Sequence, residues 1–137
     1  MNKDIENFLS GHRIAVLGAS QSGNKVGNSI VRDLSKKGYS VFLVHPSASE
    51  IDGRKCFASL SELRGQVDGV VLCIPPEKAR TAVIDAADAG ITRLWLQEGT
   101  VSPEVLAAAY TRGMSVVVNR CIMVYASQVL TTREYYK

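Results

Sequence analysis

An α/β fold, with a parallel sheet covered by helices on both faces, is predicted by three observations. Short apolar, β-branched runs alternate along the chain with segments whose apolar residues recur at intervals of three and four. The runs are apolar almost throughout, as in Val70-Val71-Leu72-Cys73, which suits strands buried on both faces. The stretch Arg13 to Gly27, RIAVLGASQSGNKVG, joins such a run to a helix start through a turn of glycine and small polar residues. Units of this kind hold phosphate in α/β sheets, because the first N–H groups of a helix lack partners within it. Right-handed crossovers between parallel strands then give a Rossmann-like, doubly wound sheet of about five strands in the order 3-2-1-4-5.

The chain supports this element by element. Asp4 to Leu9 reads as a short helix or arm, with Ile5, Phe8 and Leu9 at helical spacing. The first strand, Arg13 to Leu17, stops at Gly18. Val26, Ile30, Val31 and Leu34 define one face of a helix from Val26 to Lys37, and Gly38 stands where a helix C′ residue would. Tyr39 to Val44 is the second strand, halted by His45-Pro46. The residues from Pro46 to Glu50, with Asp52-Gly53 after them, read as a loop and turn. Ser59 to Glu62 has the capping-box pattern of a very short helix ending near Arg64. Val67 to Ile74 is the third strand, stopped by Pro75-Pro76. Ala79, Ala82, Val83 and Ala86 then share one face of a helix from Glu77 to Ala89, closed by Gly90. Thr92 to Leu96 is the fourth strand, with Gln97 to Thr100 as its exit loop. Ser102 is an N-cap and Pro103 the first turn of a helix reaching Arg112. Ser115 to Val118 is the fifth strand. From Tyr125 to Lys137 the pattern does not choose between a short helix and a frayed end.

A hydrophobic content of 46% and a charged content of 21% are those of an ordinary globular protein. One domain over residues 1–137 is expected, with its core at about 12–125 and a tail from 126 to 137. No apolar run approaches the length of a membrane span, and MNKDIENFLSGHR carries no apolar signal segment, so a cytoplasmic protein away from membranes is expected. A net charge of +3, spread over scattered basic residues, does not indicate nucleic acid but is compatible with a small anionic ligand. Cys56, Cys73 and Cys121 lack metal-type spacing and have only His12 and His45 to join them. No metal site is expected, and the thiols read as reduced.

Ligands of doubly wound sheets bind outside the carboxyl ends of the strands, where strand order reverses. That rule selects the loops after Leu17, Val44, Cys73, Leu96 and Val118. In the first loop, backbone N–H groups at Ala19, Ser20 and the following helix start are candidates to meet phosphate oxygens. Gly18, Gly23 and Gly27 allow close approach, Ser20 and Ser22 add hydroxyls, and Lys25 adds a positive charge. A nicotinamide dinucleotide is disfavoured. Its GxGxxG fingerprint needs glycine where Ser20 stands, and Val44-His45-Pro46-Ser47 offers no acid for the ribose hydroxyls.

The turn Gly18-Ala19-Ser20, with Lys25-Val26-Gly27-Asn28 behind it, resembles the CoA-binding domain proteins. So do His45-Pro46, Ile74-Pro75-Pro76-Glu77, Trp95-Leu96-Gln97-Glu98-Gly99 and Arg120-Cys121-Ile122-Met123-Val124. These proteins are stand-alone relatives of the CoA-binding domain in the succinyl-CoA synthetase alpha subunit. The likeness runs from about residue 12 to about residue 125. It implies coenzyme A or an acyl-CoA as ligand, with Gly18, Ala19, Ser20 and Lys25 at phosphate or ribose, beside Val26 and Gly27. It places His45, Pro46 and Ser47 beside the nucleotide, and Ile74, Pro75 and Pro76 as an apolar wall under adenine or pantetheine. A Pro-Pro turn suits that wall physically, because it has no N–H donors to desolvate. His45 replaces the family's usual asparagine, and Val124-Tyr125 stands where an acid is common.

The synthetase relatives add a second domain with a phosphorylated histidine and a partner subunit, for which the 137 residues leave no room. No catalytic constellation is indicated, since neither histidine has an orienting carboxylate beside it in sequence. The expectation is non-catalytic binding of a CoA ligand, with a homodimer or a partner protein left open. An NAD(P)-type enzyme or subunit is the first alternative. A thiol-redox protein forming a mixed disulfide through Cys121 is the second, because the neighbouring Arg120 is a cation that could lower a thiol pKa. Cys73 is expected in the core and Trp95 as packing.

Overall fold

The computed structural model describes residues 2–129. In chain order they form α1 (Lys3–Leu9), β1 (Arg13–Leu17), α2 (Val26–Lys36), β2 (Ser40–Val44), β3 (Glu50–Ile51) and β4 (Arg54–Phe57). A 3-10 turn (Leu60–Leu63) precedes β5 (Gly69–Leu72), α3 (Pro76–Asp88), β6 (Arg93–Leu96), α4 (Pro103–Tyr110), β7 (Ser115–Val118) and α5 (Ile122–Tyr125). The undecided tail lies outside the described residues from 130 onward. Its first part packs, with the Val129 N–H donating to the Lys37 carbonyl at 2.7 Å.

The α/β class and the Rossmann-like winding hold, but the strand count and order need correction. The sheet has seven strands in the order β3-β4-β2-β1-β5-β6-β7, parallel except for the β3–β4 hairpin. Residues 50–57 read as loop because β3 is two residues long and β4, Arg-Lys-Cys-Phe, half charged, so neither shows an apolar run. Asp52 and Gly53 both take positive φ, 52° and 76°, which closes the two-residue turn of this hairpin. β4 therefore occupies the place beside β2 that the predicted order gave to the strand at 69–72. That strand, β5, pairs instead with β1 on its other side. The reversal of strand order thus falls between β1 and β5.

Register makes this edge a single line. Phe57, Val44, Leu17, Leu72, Leu96 and Val118, the last residues of the six parallel strands, are paired in turn across the sheet. All the exit loops consequently open on one side.

Alternate residues of each strand feed two cores, as burial on both faces requires. Ala15, Val70, Leu72, Leu94, Leu96 and Val116 pack with α3, α4 and the 3-10 turn. Ile14, Val16, Val71, Trp95 and Val117 pack with α1, α2 and Ile122 of α5. The N-terminal segment is a packed helix rather than an arm: Phe8 is buried and meets Trp95 edge-on at 5.4 Å. Ser102 caps α4 through the Val105 N–H, and Glu62 accepts from the Ser59 N–H in the capping box. No helix among the described residues is long and apolar enough to cross a membrane.

Candidate functional site

The turn after β1 is fixed by close backbone approaches. Gly18 has φ +121°, and a Cβ there would stand 2.4 Å from the Cys73 carbonyl oxygen. Gly27 brings the first turn of α2 onto Gly18, where a Cβ would stand 2.5 Å from the Gly18 carbonyl carbon. Only glycine satisfies both positions. Asn28, 1% exposed, clamps the same turn: its Oδ1 accepts from the Ser20 N–H and its Nδ2 donates to the Ser20 carbonyl, both at 2.9 Å. The Ser20 N–H, expected to face a ligand, is thereby occupied within the protein. Among the described residues the Ala19 N–H donates no hydrogen bond. The N–H groups of Val26 and Gly27, as the first residues of α2, have no intrahelical acceptor, so these donors are left to an anion. The Lys25 ammonium and the linked hydroxyls of Ser20 and Ser22, 2.7 Å apart, accompany them.

Two cavities flank this turn. One of about 480 Å³ lies toward the end of β2, walled by Leu17, Ser20, Val44, His45, Pro46 and Leu60, with Lys78, Thr81 and Asp85 of α3 opposite. The other, of about 730 Å³, lies toward β6 and α5, walled by Val26, Gly27, Pro76, Glu98, Cys121 and Met123. Gly18, Lys25, Cys73, Ile74 and Pro75 belong to both. The cavities therefore meet along the β1–β5 junction as one trough over the switch point.

Eleven of the twelve residues selected from the sequence line this trough: Gly18, Ala19, Ser20, Lys25, His45, Pro46, Ile74 and Pro75 on the first side, and Val26, Gly27 and Pro76 on the second. Ser47 lines neither wall. Its N–H, with that of Ala48, donates to His45 Nδ1 at 3.1 and 2.9 Å. The imidazole thus supplies a turn-closing acceptor of the kind an asparagine side chain offers, which leaves the ring proton on Nε2. Cys73, expected in the core, stands just past β5 on both cavity walls. Burial, and then the charge of nearby Cys121, push its thiol pKa up to about 12.

Sequence reasoning placed Lys78 only at the end of the exit loop from Ile74 and passed over Thr81 and Asp85, which follow it on α3. Their spacing of three and four was visible, but it runs beside the stronger alanine stripe that marks the buried face of α3. It placed Gln97 and Thr100 in the exit loop after Leu96 and Trp95 as packing, without the hydrogen bonds by which they support the far wall. Gln97, 5% exposed, accepts from the Ile122 N–H at 2.8 Å, and the Trp95 Nε1–H donates to the Arg120 carbonyl at 2.7 Å. Thr100, also buried, donates its hydroxyl to the Leu72 carbonyl. Among the described residues, no cluster of three or more His, Cys, Asp or Glu side chains is placed to hold a metal ion.

A doubly wound α/β sheet with a trough across its switch point places the chain in the Rossmann-like class of folds. The particular family follows from comparison: a family profile described as CoA binding domain matches residues 12–127, and the chain belongs to that family. YneT of Bacillus subtilis is 27% identical over 112 residues, which cover 82% of this chain and 83% of that protein. The alpha subunit of ADP-forming acetate–CoA ligase II of Pyrococcus furiosus is 24% identical over 129 residues, 86% of this chain but only 28% of the subunit. Among solved structures, a conserved hypothetical protein from P. furiosus superposes with a TM-score of 0.80 at 38% identity, covering 84% of this chain and 99% of that one. The resemblance to the CoA-binding domain proteins, read from the strand-end motifs, is shown by the family match, and the synthetase relative among these matches is an acetate–CoA ligase alpha subunit.

Proposed function

We propose that this protein binds coenzyme A or an acyl-CoA, without catalysing a reaction on it, in the trough at the strand ends. The observation that carries the reading is the shared wall of Gly18, Lys25, Cys73, Ile74 and Pro75. It makes one continuous site of two compartments, as a ligand with a nucleotide at one end and a flexible arm at the other requires. In doubly wound sheets the nucleoside sits at the end of the second strand. The compartment beside Val44, His45 and Pro46 would take the adenosine, and Lys25 with the α2 N-terminus the diphosphate. The arm would cross Ile74 and Pro75 into the compartment of Glu98, Cys121 and Met123. A dinucleotide would instead look for an acid at the end of β2, and His45 there is engaged in its own turn.

Membership of the CoA binding domain family supports the same ligand, and the ligase alpha subunit supports the view that such a unit works beside further chain. Residues 1–137 would then act as one binding domain in the cytoplasm, where reduced thiols persist, alone, as a homodimer or with a partner protein. Thermal melting with CoA, acetyl-CoA, NAD and NADP tests the reading. At one hundred times its Kd a ligand stabilises by about 2.7 kcal/mol. A clear upward shift is expected with CoA or acetyl-CoA; none with these and a clear one with NADP would overturn the proposal.

A further inference from the structure

We propose that one face of α3 sets the specificity of the nucleotide compartment: Lys78 selects a nucleoside carrying a phosphate on its ribose, and Asp85 receives the amino group of its base. The inference rests on the CoA reading above and deepens it, because CoA carries a ribose phosphate separate from its diphosphate. Three observations carry it. Lys78, Thr81 and Asp85 recur at intervals of three and four on α3 and line the compartment beside β2, while Ala79, Val83 and Ala86 form the buried stripe of the helix. Among the described residues their side chains have no structural occupation. Lys78 and Asp85 belong to none of the ion pairs, and Thr81 does not return its hydroxyl to the preceding turn as Thr111 of α4 does toward the Ala107 carbonyl. Their order along the helix is also the order of the parts of a nucleotide. α3 starts at Pro76, next to Pro75, which both compartments share. At the rise of an α-helix, Lys78, Thr81 and Asp85 stand about 3, 8 and 14 Å along the axis from Pro76. The cation is thus nearest the phosphate turn, the hydroxyl follows, and the carboxylate is farthest from it.

The chemistry of each group fits its place. Lys25 lines both compartments and serves the diphosphate where they meet, whereas Lys78 lines only the first. An anion on Lys78 therefore lies on the nucleoside side of the diphosphate, and the ribose phosphate is the anion that CoA has there. Thr81 offers its hydroxyl to the ribose hydroxyl that remains. A carboxylate only accepts hydrogen bonds, so Asp85 requires a donor, which the amino group of adenine supplies. Asp85 is also about 10 Å from Lys78 along the axis, far enough for salt to screen its repulsion of the phosphate. Val44, Leu60 and Ala82 give the same compartment apolar walls for a flat base.

Isothermal titration calorimetry with CoA, dephospho-CoA and etheno-CoA, whose bridged adenine has lost its amino hydrogens, tests the inference. The wild type should bind dephospho-CoA about tenfold more weakly than CoA, as loss of one charge-assisted contact predicts, and Lys78→Gln should bring the two affinities within about twofold. Etheno-CoA should bind the wild type about fivefold more weakly than CoA, and Asp85→Ala should remove that difference. Arg80→Gln takes a charge from the same helix, but Arg80 lines neither compartment, so this variant should keep both wild-type preferences. The three substituted side chains are exposed, and each result is a ratio of two ligands on one variant, so a general loss of stability does not mimic it. Equal wild-type affinity for CoA and dephospho-CoA, or a preference left undiminished in Lys78→Gln or in Asp85→Ala, would overturn the inference. If the wild type binds CoA without these preferences, only the specificity face falls; if it binds none of the three ligands, the CoA reading falls with it.

Discussion

Gly18 and Gly27 show how little room the turn has. A methyl group at Gly18 would meet a backbone carbonyl rather than the yielding end of a side chain, at a φ that other residues avoid. Gly18→Ala is expected to cost about 3 kcal/mol or more in urea denaturation, combining overpacking with backbone strain. Gly99, also at positive φ but with nothing within 4 Å of a built Cβ, is the control. Gly99→Ala should cost only about 1 kcal/mol, the backbone part alone. At this scale the need for close approach at Gly18 and Gly27 was legible, whereas the clamp by Asn28 was not. A single asparagine on a helix face gives no sign of its partner until the helix is docked against the turn.

Among elements, the ends of β1 and β5 are tied by one carboxylate. Asp68, in the loop before β5, accepts from the His12 and Arg13 N–H groups at 3.0 Å and from the Arg13 guanidinium at 2.8 Å. The guanidinium hydrogen bond first, and the backbone bonds with it, hold the Asp68 carboxyl below its ordinary range. A depressed folded pKa adds stability above the unfolded value and loses it as pH falls through the folded one. Asp68→Asn should therefore lower stability at pH 7 by about 1 kcal/mol, a figure discounted for exposure, and the difference from wild type should shrink as pH falls toward about 3. Urea midpoints at the two pH values measure it. The ranges of β1 and β7 were legible to the residue because each is an apolar run bounded by breakers or charge. The β3–β4 hairpin was not, because Arg54 and Lys55 face solvent at the sheet edge and leave only Cys56 and Phe57 to suggest a strand.

For the whole molecule, that missed hairpin decided the geometry of the site. Counting β4 as the third parallel strand turns the predicted order into a sheet in which β5 neighbours β1. The Ile74-Pro75 exit then stands directly across from the Gly18 turn instead of two strands away. The residues of the trough were thus largely legible from the rule that ligands lie at strand ends. Their mutual placement was not, since it depends on a pairing no local pattern encodes. One packing detail has an optical consequence. Trp95 is the only tryptophan of the chain, it is fully buried, and its Nε1–H is bonded to the carbonyl that precedes Cys121. Indole emission depends on the polarity and hydrogen bonding around the ring, so the protein carries a single built-in fluorophore wired to the far wall of its trough. Excitation of that indole should give a blue-shifted emission maximum in the free protein. Titration with CoA should change its intensity in a saturable way, whereas Arg112, bonded to the Ala108 carbonyl of α4 and on neither cavity wall, offers in Arg112→Gln a variant whose titration curve should match the wild type.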